Sequence, residues 1–183
     1  GLGGDDSSVP EARTRVDVGI AEKAAALFLP LGDRRGWHAE FGRELNATDD
    51  REAFLQARHG LPVIEGKLIE PHRVLVGNAR LSISSGEARR RLDERHQRWR
   101  LGYRDVASAA NRRALIAALL PPATVSTHTV FCLRTTLPIK AQRFLCGMFN
   151  SLVVNYLVRL RVTSHVTTAI VERLPIPRAE EAR

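Results

Sequence analysis

The chain has 183 residues, 44% hydrophobic and 26% charged, with a net charge of +8 at neutral pH. That length suffices for one domain with a core. Its most apolar segment, Phe144 to Leu160, is broken by Gly147, Asn150, Ser151, Asn155 and Arg159, which excludes a bilayer span of about 20 apolar residues. Cys132 and Cys146 have no partner at zinc spacing, so two buried, reduced thiols and a cytoplasmic location are expected.

Gly1 to Pro10 reads as flexible, and a start at Gly1 predicts a fragment or a processed chain. Ile20 to Leu29 is a short helix rich in alanine, broken by Pro30, Gly32 and Gly36. Trp37 to Leu45 predicts a strand, and Thr48 the N-cap of a helix to about Arg58. Leu61 to Ile69 predicts a strand, a turn at Glu65-Gly66 and a second strand. Arg73 to Ile83 predicts a strand pair or meander around Gly77-Asn78. Ser84 or Ser85 caps a basic helix to about His96, and Trp99 to Ala107 follows as a strand. Ala114 to Leu120 and Thr127 to Leu133 are apolar strands separated by Pro121-Pro122. Lys140 to Leu160 is the longest helix, with Phe144, Met148, Leu152, Tyr156 and Leu160 on one stripe. His165 to Arg173 predicts a last strand, and Leu174-Pro-Ile-Pro177 is extended. The expected class is α+β, a mixed or antiparallel sheet with a few helices and one long buried helix near the C-terminus.

Charge is unevenly placed. Residues 1–70 hold 9 Lys/Arg and 13 Asp/Glu, and residues 71–183 hold 19 and 7. The cations are 25 Arg against 3 Lys, and seven of the arginines fall between Arg89 and Arg104, interleaved with Trp99 and Tyr103. Arginine grips a phosphate or a guanine edge with two parallel hydrogen bonds. The run reads either as a solvated face or as a track for a phosphate backbone. Glu65-Gly66-Lys67 allows a nuclease reading, with Asp49 or Asp50 as a second carboxylate for Mg²⁺. It reads equally as a plain turn with a solvated lysine. Ser126-Thr-His-Thr129 and Thr163-Ser-His165 surround histidines with polar residues but supply no nucleophile.

Taken in order, Phe41-Gly-Arg-Glu-Leu-Asn46, Leu61-Pro-Val-Ile-Glu-Gly-Lys67, Tyr103-Arg-Asp-Val-Ala107 with Asn111, Asn150-Ser151 with Arg159, and Leu174-Pro-Ile-Pro177 form an ordered set. The set resembles the C-terminal target-recognition region (TaqI-like specificity region) of adenine-N6 DNA methyltransferases from Eco57I-type, type II restriction-modification systems. The resemblance spans roughly residues 37–177. It implies a sequence-reading DNA-binding domain there, preceded by a linker over 1–36 and followed by a tail over 178–183. It implies Lys67, Arg73, Arg104, Arg112, Arg113, Arg134 and Arg161 as phosphate or base contacts, and Asn111, Thr127 and His128 as base-reading candidates. The Asn-Pro-Pro-Tyr (or Asp-Pro-Pro-Tyr) motif and the glycine-rich S-adenosylmethionine loop of that family do not occur in this sequence. Gly1-Leu-Gly-Gly4 follows no strand and is not such a loop. The expectation is therefore a fragment with no catalytic, cofactor or metal residue of its own. Its partners would be double-stranded DNA and a methyltransferase domain of the same polypeptide that carries S-adenosylmethionine, and no membrane. Two alternatives stay open: a small Mg²⁺-dependent nuclease around Glu65 and Lys67, and a protein-docking domain of a phage-defence complex.

Overall fold

The computed structural model describes residues 14–46, 48–56, 59–106 and 113–178. At its centre is an antiparallel sheet in the order β1 (Phe41–Gly42), β10 (Val130–Leu133), β7 (Arg100–Arg104), β8 (Ala117–Leu120). Period-two alternation sorts its side chains. Leu101, Tyr103, Ala117, Phe131 and Leu133 face one core, and Ala118, Leu120, Val130 and Cys132 face another.

The first core is closed by α3 (Ile139–Asn150), α4 (Leu152–Arg159) and α5 (Thr168–Glu172). Buried amides on these helices bind the sheet's backbone. Gln142 Oε1 accepts from Leu101 N (2.7 Å), Asn155 Oδ1 from Leu115 N (2.9 Å), and Asn150 both accepts from Ala117 N (3.2 Å) and donates to Ala117 O (2.8 Å). Ahead of the sheet, α1 (Arg15–Leu27) starts with a reciprocal capping box between Thr14 and Asp17. The C-terminal Leu174–Pro177 segment lies against residues 29–32, with Leu31 N donating to Leu174 O.

A second sheet runs β2 (Phe54–Gln56), β6 (Leu81–Ile83), β3 (Leu61–Ile64), β9 (Val125–Ser126), with β3 and β9 parallel. Ala88 and Leu92 of α2 (Ser85–Leu92) pack on it. A ribbon of β4 (Ile69–Glu70) and β5 (Arg73–Val74) covers the central sheet's second face. Because β9 leads into β10, the stretch 125–133 belongs to both large sheets.

The α+β class and its mixed sheets agree with the sequence reading, and several elements differ. The buried C-terminal helix ends at Asn150, where Ser151 turns extended and its hydroxyl accepts from Val154 N to cap α4. Leu152 is consequently 70% exposed rather than part of one stripe. The segment 165–173 is not a strand. Its Thr167 caps α5, the hydroxyl accepting from Ile170 N. No helix grows from Thr48, because Thr48 N donates to Asn46 Oδ1 and Asn46 N to Asp50 Oδ2. These side-chain bonds compete with helical ones, and only a single 3-10 turn, Arg51–Ala53, precedes β2. The strands at 73–74 and 81–83 do not pair with each other: β5 pairs with β4, and β6 with β2 and β3. Among the described residues no helix is long and apolar enough to cross a membrane.

Candidate nucleic-acid interface

The C-terminal end of β7 and the N-terminal end of β10 open onto a cleft of about 320 Å³, lined by Glu65, Gly66, Lys67, Arg104, Val106 and Thr129. The Glu65-Gly66 turn is drawn in by Gly66 N, which donates to Thr129 Oγ1 (2.9 Å). A Cβ at Gly66 would stand 2.9 Å from Thr129 O and 3.4 Å from Arg104 Cβ, so glycine is what admits this approach. Lys67 Nζ lies 2.8 Å from Glu65 Oε2 and is 60% exposed. Arg104 lines the same cleft with no carboxylate partner among the described residues.

Behind this cleft, Asp105 is 4% exposed and holds three separate segments. Its carboxylate accepts from Arg43 Nη2 (3.1 Å) and meets His165 Nδ1 (3.1 Å), while its backbone N–H donates to Thr129 O (2.9 Å). The Arg43 guanidinium also lies over the Phe131 ring, 4.9 Å from its centroid. Arg104 and Asp105, adjacent on one chain, thus take different tasks. One cation faces the cleft and one carboxylate ties down its wall.

Glu44, of the same short motif as Arg43, is the second internal tie. Arg100 donates to it through Nε (2.5 Å) and Nη2 (2.9 Å), and Ser126 through N (2.7 Å) and Oγ (2.8 Å). Both charged side chains are nearly inaccessible. Burial works against the charge of Arg100, but Glu44 more than offsets it and the guanidinium is held above its usual range. Burial, reinforced by the Glu44 carboxylate, pushes the neighbouring Cys132 thiol up to about 12.

At the other end of the β7–β10 pair lies a second cleft, about 240 Å³, whose wall includes Arg95, Arg98, Trp99, Arg134, Thr135 and Thr136. Arg134 enters it across Gly42: a Cβ there would fall 1.8 Å from Arg134 Nε. Its Nη2 donates to Arg43 O (2.9 Å).

The arginine run therefore divides. Arg89 pairs with Glu94, Arg90 with Glu87, Arg91 with Glu87 and Asp50, and Arg100 with Glu44. Arg95, Arg98 and Arg104 have no carboxylate partner among the described residues, and these three line the two clefts.

No family model matches the chain, and no curated protein matches it. Among solved structures, a chain of a type I restriction-modification system, from work on complex assembly and conformational transition, superposes with a TM-score of 0.46 and 13% identity. The match takes in 90% of this chain and 40% of that one. A likeness at this level is too distant to assign a function.

The other residues named from the sequence are dispersed. Arg73 is exposed on the β4–β5 ribbon and paired with Glu70 (2.7 Å). Thr127 is 2% exposed, its hydroxyl 2.8 Å from that of Thr129 and its N–H donating to Ile64 O, so it supports the first cleft from beneath. His128 and Arg113 are half-buried. Arg161 follows α4, where its Nη1 is buried without a hydrogen-bond partner among the described residues. Burial, with Arg173 nearby, lowers its affinity for a proton. Asn111 and Arg112 lie outside the described residues. Spacing missed the Glu44–Arg100 pair and the Arg43–Asp105–His165 tie. The signal available was weak: Arg100 inside a largely apolar strand, and charged residues just beyond the strand ends.

Proposed function

We propose that this chain is the sequence-reading DNA-binding domain of a bacterial type II restriction-modification adenine-N6 DNA methyltransferase. In this reading it grips and positions duplex DNA in the cytoplasm. Methyl transfer, with S-adenosylmethionine, belongs to a catalytic domain of the same polypeptide. The observation that carries the reading is convergence. Residues of the Leu61–Lys67 and Tyr103–Ala107 motifs, distant in sequence, line one cleft, where Lys67 and Arg104 are presented, and Arg43 of the Phe41–Asn46 motif ties Asp105 behind it. Cations held on rigid strand ends suit phosphate contacts, and arginine adds the option of a guanine edge. Arg113 adds to the basic surface, with Asn111, Arg112 and His128 as further contacts. Thr127 acts by placing the Thr129 hydroxyl.

The nuclease alternative needs Glu65 with Asp49 or Asp50. Glu65 pairs with Lys67 and Asp50 with Arg91, and no observation favours that alternative over recognition. The test is selection from a randomised duplex pool at two salt concentrations, followed by sequencing of the bound fraction. An enriched motif whose affinity falls steeply with salt is the expected result. Absence of any duplex binding would overturn the reading.

A further inference from the structure

The second cleft does not suit a duplex. Its distinguishing feature is an indole: Trp99 is 49% exposed, an unusual state for tryptophan, and it stands within a recess rather than on a convex surface. Around it are the exposed side chains of Arg95, Arg98 and Arg134, without carboxylate partners among the described residues, and the hydroxyls of Thr135 and Thr136. No acidic residue lines the recess. Arg100 forms part of the lining, but its charge is already neutralised by Glu44. Three uncompensated guanidiniums call for an anion, and an exposed indole calls for a flat ring. Within a paired duplex a base has both faces stacked, so it has none to offer an indole.

We propose that this recess binds a nucleotide whose base is unpaired, with the phosphate held by Arg95, Arg98 and Arg134 and the base stacked on Trp99. The wall is well fixed for that purpose. Trp99 O accepts from Gln142 Nε2 (3.4 Å), and Arg98 O from Arg100 Nη1 (3.4 Å), so the backbone bearing the indole is tied to α3 and to the buried ion pair. Arg134 passes close over Gly42, whose missing side chain leaves room for the guanidinium on its path into the recess. The site is separate from the Lys67–Arg104 cleft and does not rest on the reading of that cleft as a duplex-binding surface.

Two sources share this chemistry: a free mononucleotide and an unpaired nucleotide in a DNA strand. The experiment uses the full chain carrying Trp37→Phe, which leaves Trp99 as the one indole of the sequence. Its fluorescence is followed while titrating deoxyadenosine monophosphate, a single-stranded oligonucleotide, or a duplex with one looped-out base. Saturable quenching is expected, and inorganic phosphate should compete. In calorimetry with the same probes, Trp99→Leu should bind about tenfold or more weakly. Arg98→Ala and Arg134→Ala should each weaken the phosphate-bearing probes, and Lys67→Ala, in the other cleft, should leave deoxyadenosine monophosphate binding unchanged. Binding of the oligonucleotides at least tenfold tighter than the mononucleotide supports the strand as source. Equal affinities support the free nucleotide. Absence of saturable quenching by every probe, or unchanged calorimetric affinity in Trp99→Leu, would overturn the proposal.

Discussion

The two ends of the β7–β10 strand pair carry similar cations in different settings. At one end Lys67 is partly neutralised by Glu65, Arg104 stands beside it, and hydroxyls and backbone complete the wall. At the other, three arginines surround a half-exposed indole with no acid among the lining residues. A glycine stands at each end: Gly66 admits the Thr129 backbone beside Arg104, and Gly42 lies beneath the Arg134 side chain. The lesson is that positive charge alone does not define a site. Arg89, Arg90 and Arg91 are as basic as Arg95 and Arg98, but carboxylates on or beside α2 already occupy them. What remains after internal pairing is the charge available to a ligand.

The most damaging way to test this comparison is to remove the buried tie behind the Trp99 end. Glu44→Gln should lower stability by about 3–5 kcal/mol, because Arg100 would be left buried and uncompensated. Denaturant melts measure this, and replacing both residues by apolar ones of similar size should recover much of the loss. Next, Asn150→Ala takes the side-chain acceptor from the Ala117 N–H, while the Ala117 carbonyl keeps the bond from His72 N, and should cost about 1–3 kcal/mol in the same assay. A more selective break is Gly66→Ala. The new methyl would press on the Thr129 backbone, so duplex affinity should fall while nucleotide binding at the Trp99 end persists. Arg104→Ala should weaken duplex binding with little change in stability and reduce the slope of affinity against salt by about 1. A duplex affinity unchanged at low and high salt would remove Arg104 from the interface.

The smallest effect concerns pH. The thiols of Cys132 and Cys146 are pushed up to about 12 and about 11, in both cases chiefly by burial. The folded chain therefore holds those protons more tightly than the unfolded one. Their contribution to stability is complete below about pH 8.5, where free thiols titrate, and declines as pH rises through about 11 and 12. Thiol labelling at pH 8 should accordingly require unfolding, and its rate should rise with denaturant.

Much of this architecture was legible locally. Ser84 does cap the basic helix, the Glu65-Gly66 turn sits where its residues predict, and both cysteines are buried. The errors came where a polar residue had two possible uses. Ser151 could continue a helix or cap a new one, and Asn150 turned to the sheet decides the matter from outside the segment. Thr48 offers a cap, but Asn46 and Asp50 capture the backbone first. The sites were half legible. Sequence order names Lys67 and Arg104, and cannot show that Glu44 meets Arg100 across 56 residues or that Asp105 meets His165 across 60. Nor can it separate Arg95 and Arg98 from their paired neighbours, since pairing is settled by Asp50, 41 residues before Arg91, and by side-chain direction.

Both clefts hang from the same two hydrogen-bonded strands, which makes β7 a ruler. From Arg100 to Arg104 the strand advances about 14 Å at roughly 3.4 Å per residue. Inserting one residue would turn every later side chain to the opposite face and exchange buried Tyr103 for a neighbour. The gauge between the two cationic ends can therefore be reset only in steps of two residues, with a matching change in β10. Relatives that differ in the length of these strands should differ in that gauge by whole pleats, and a lengthened pair offers a way to engineer it.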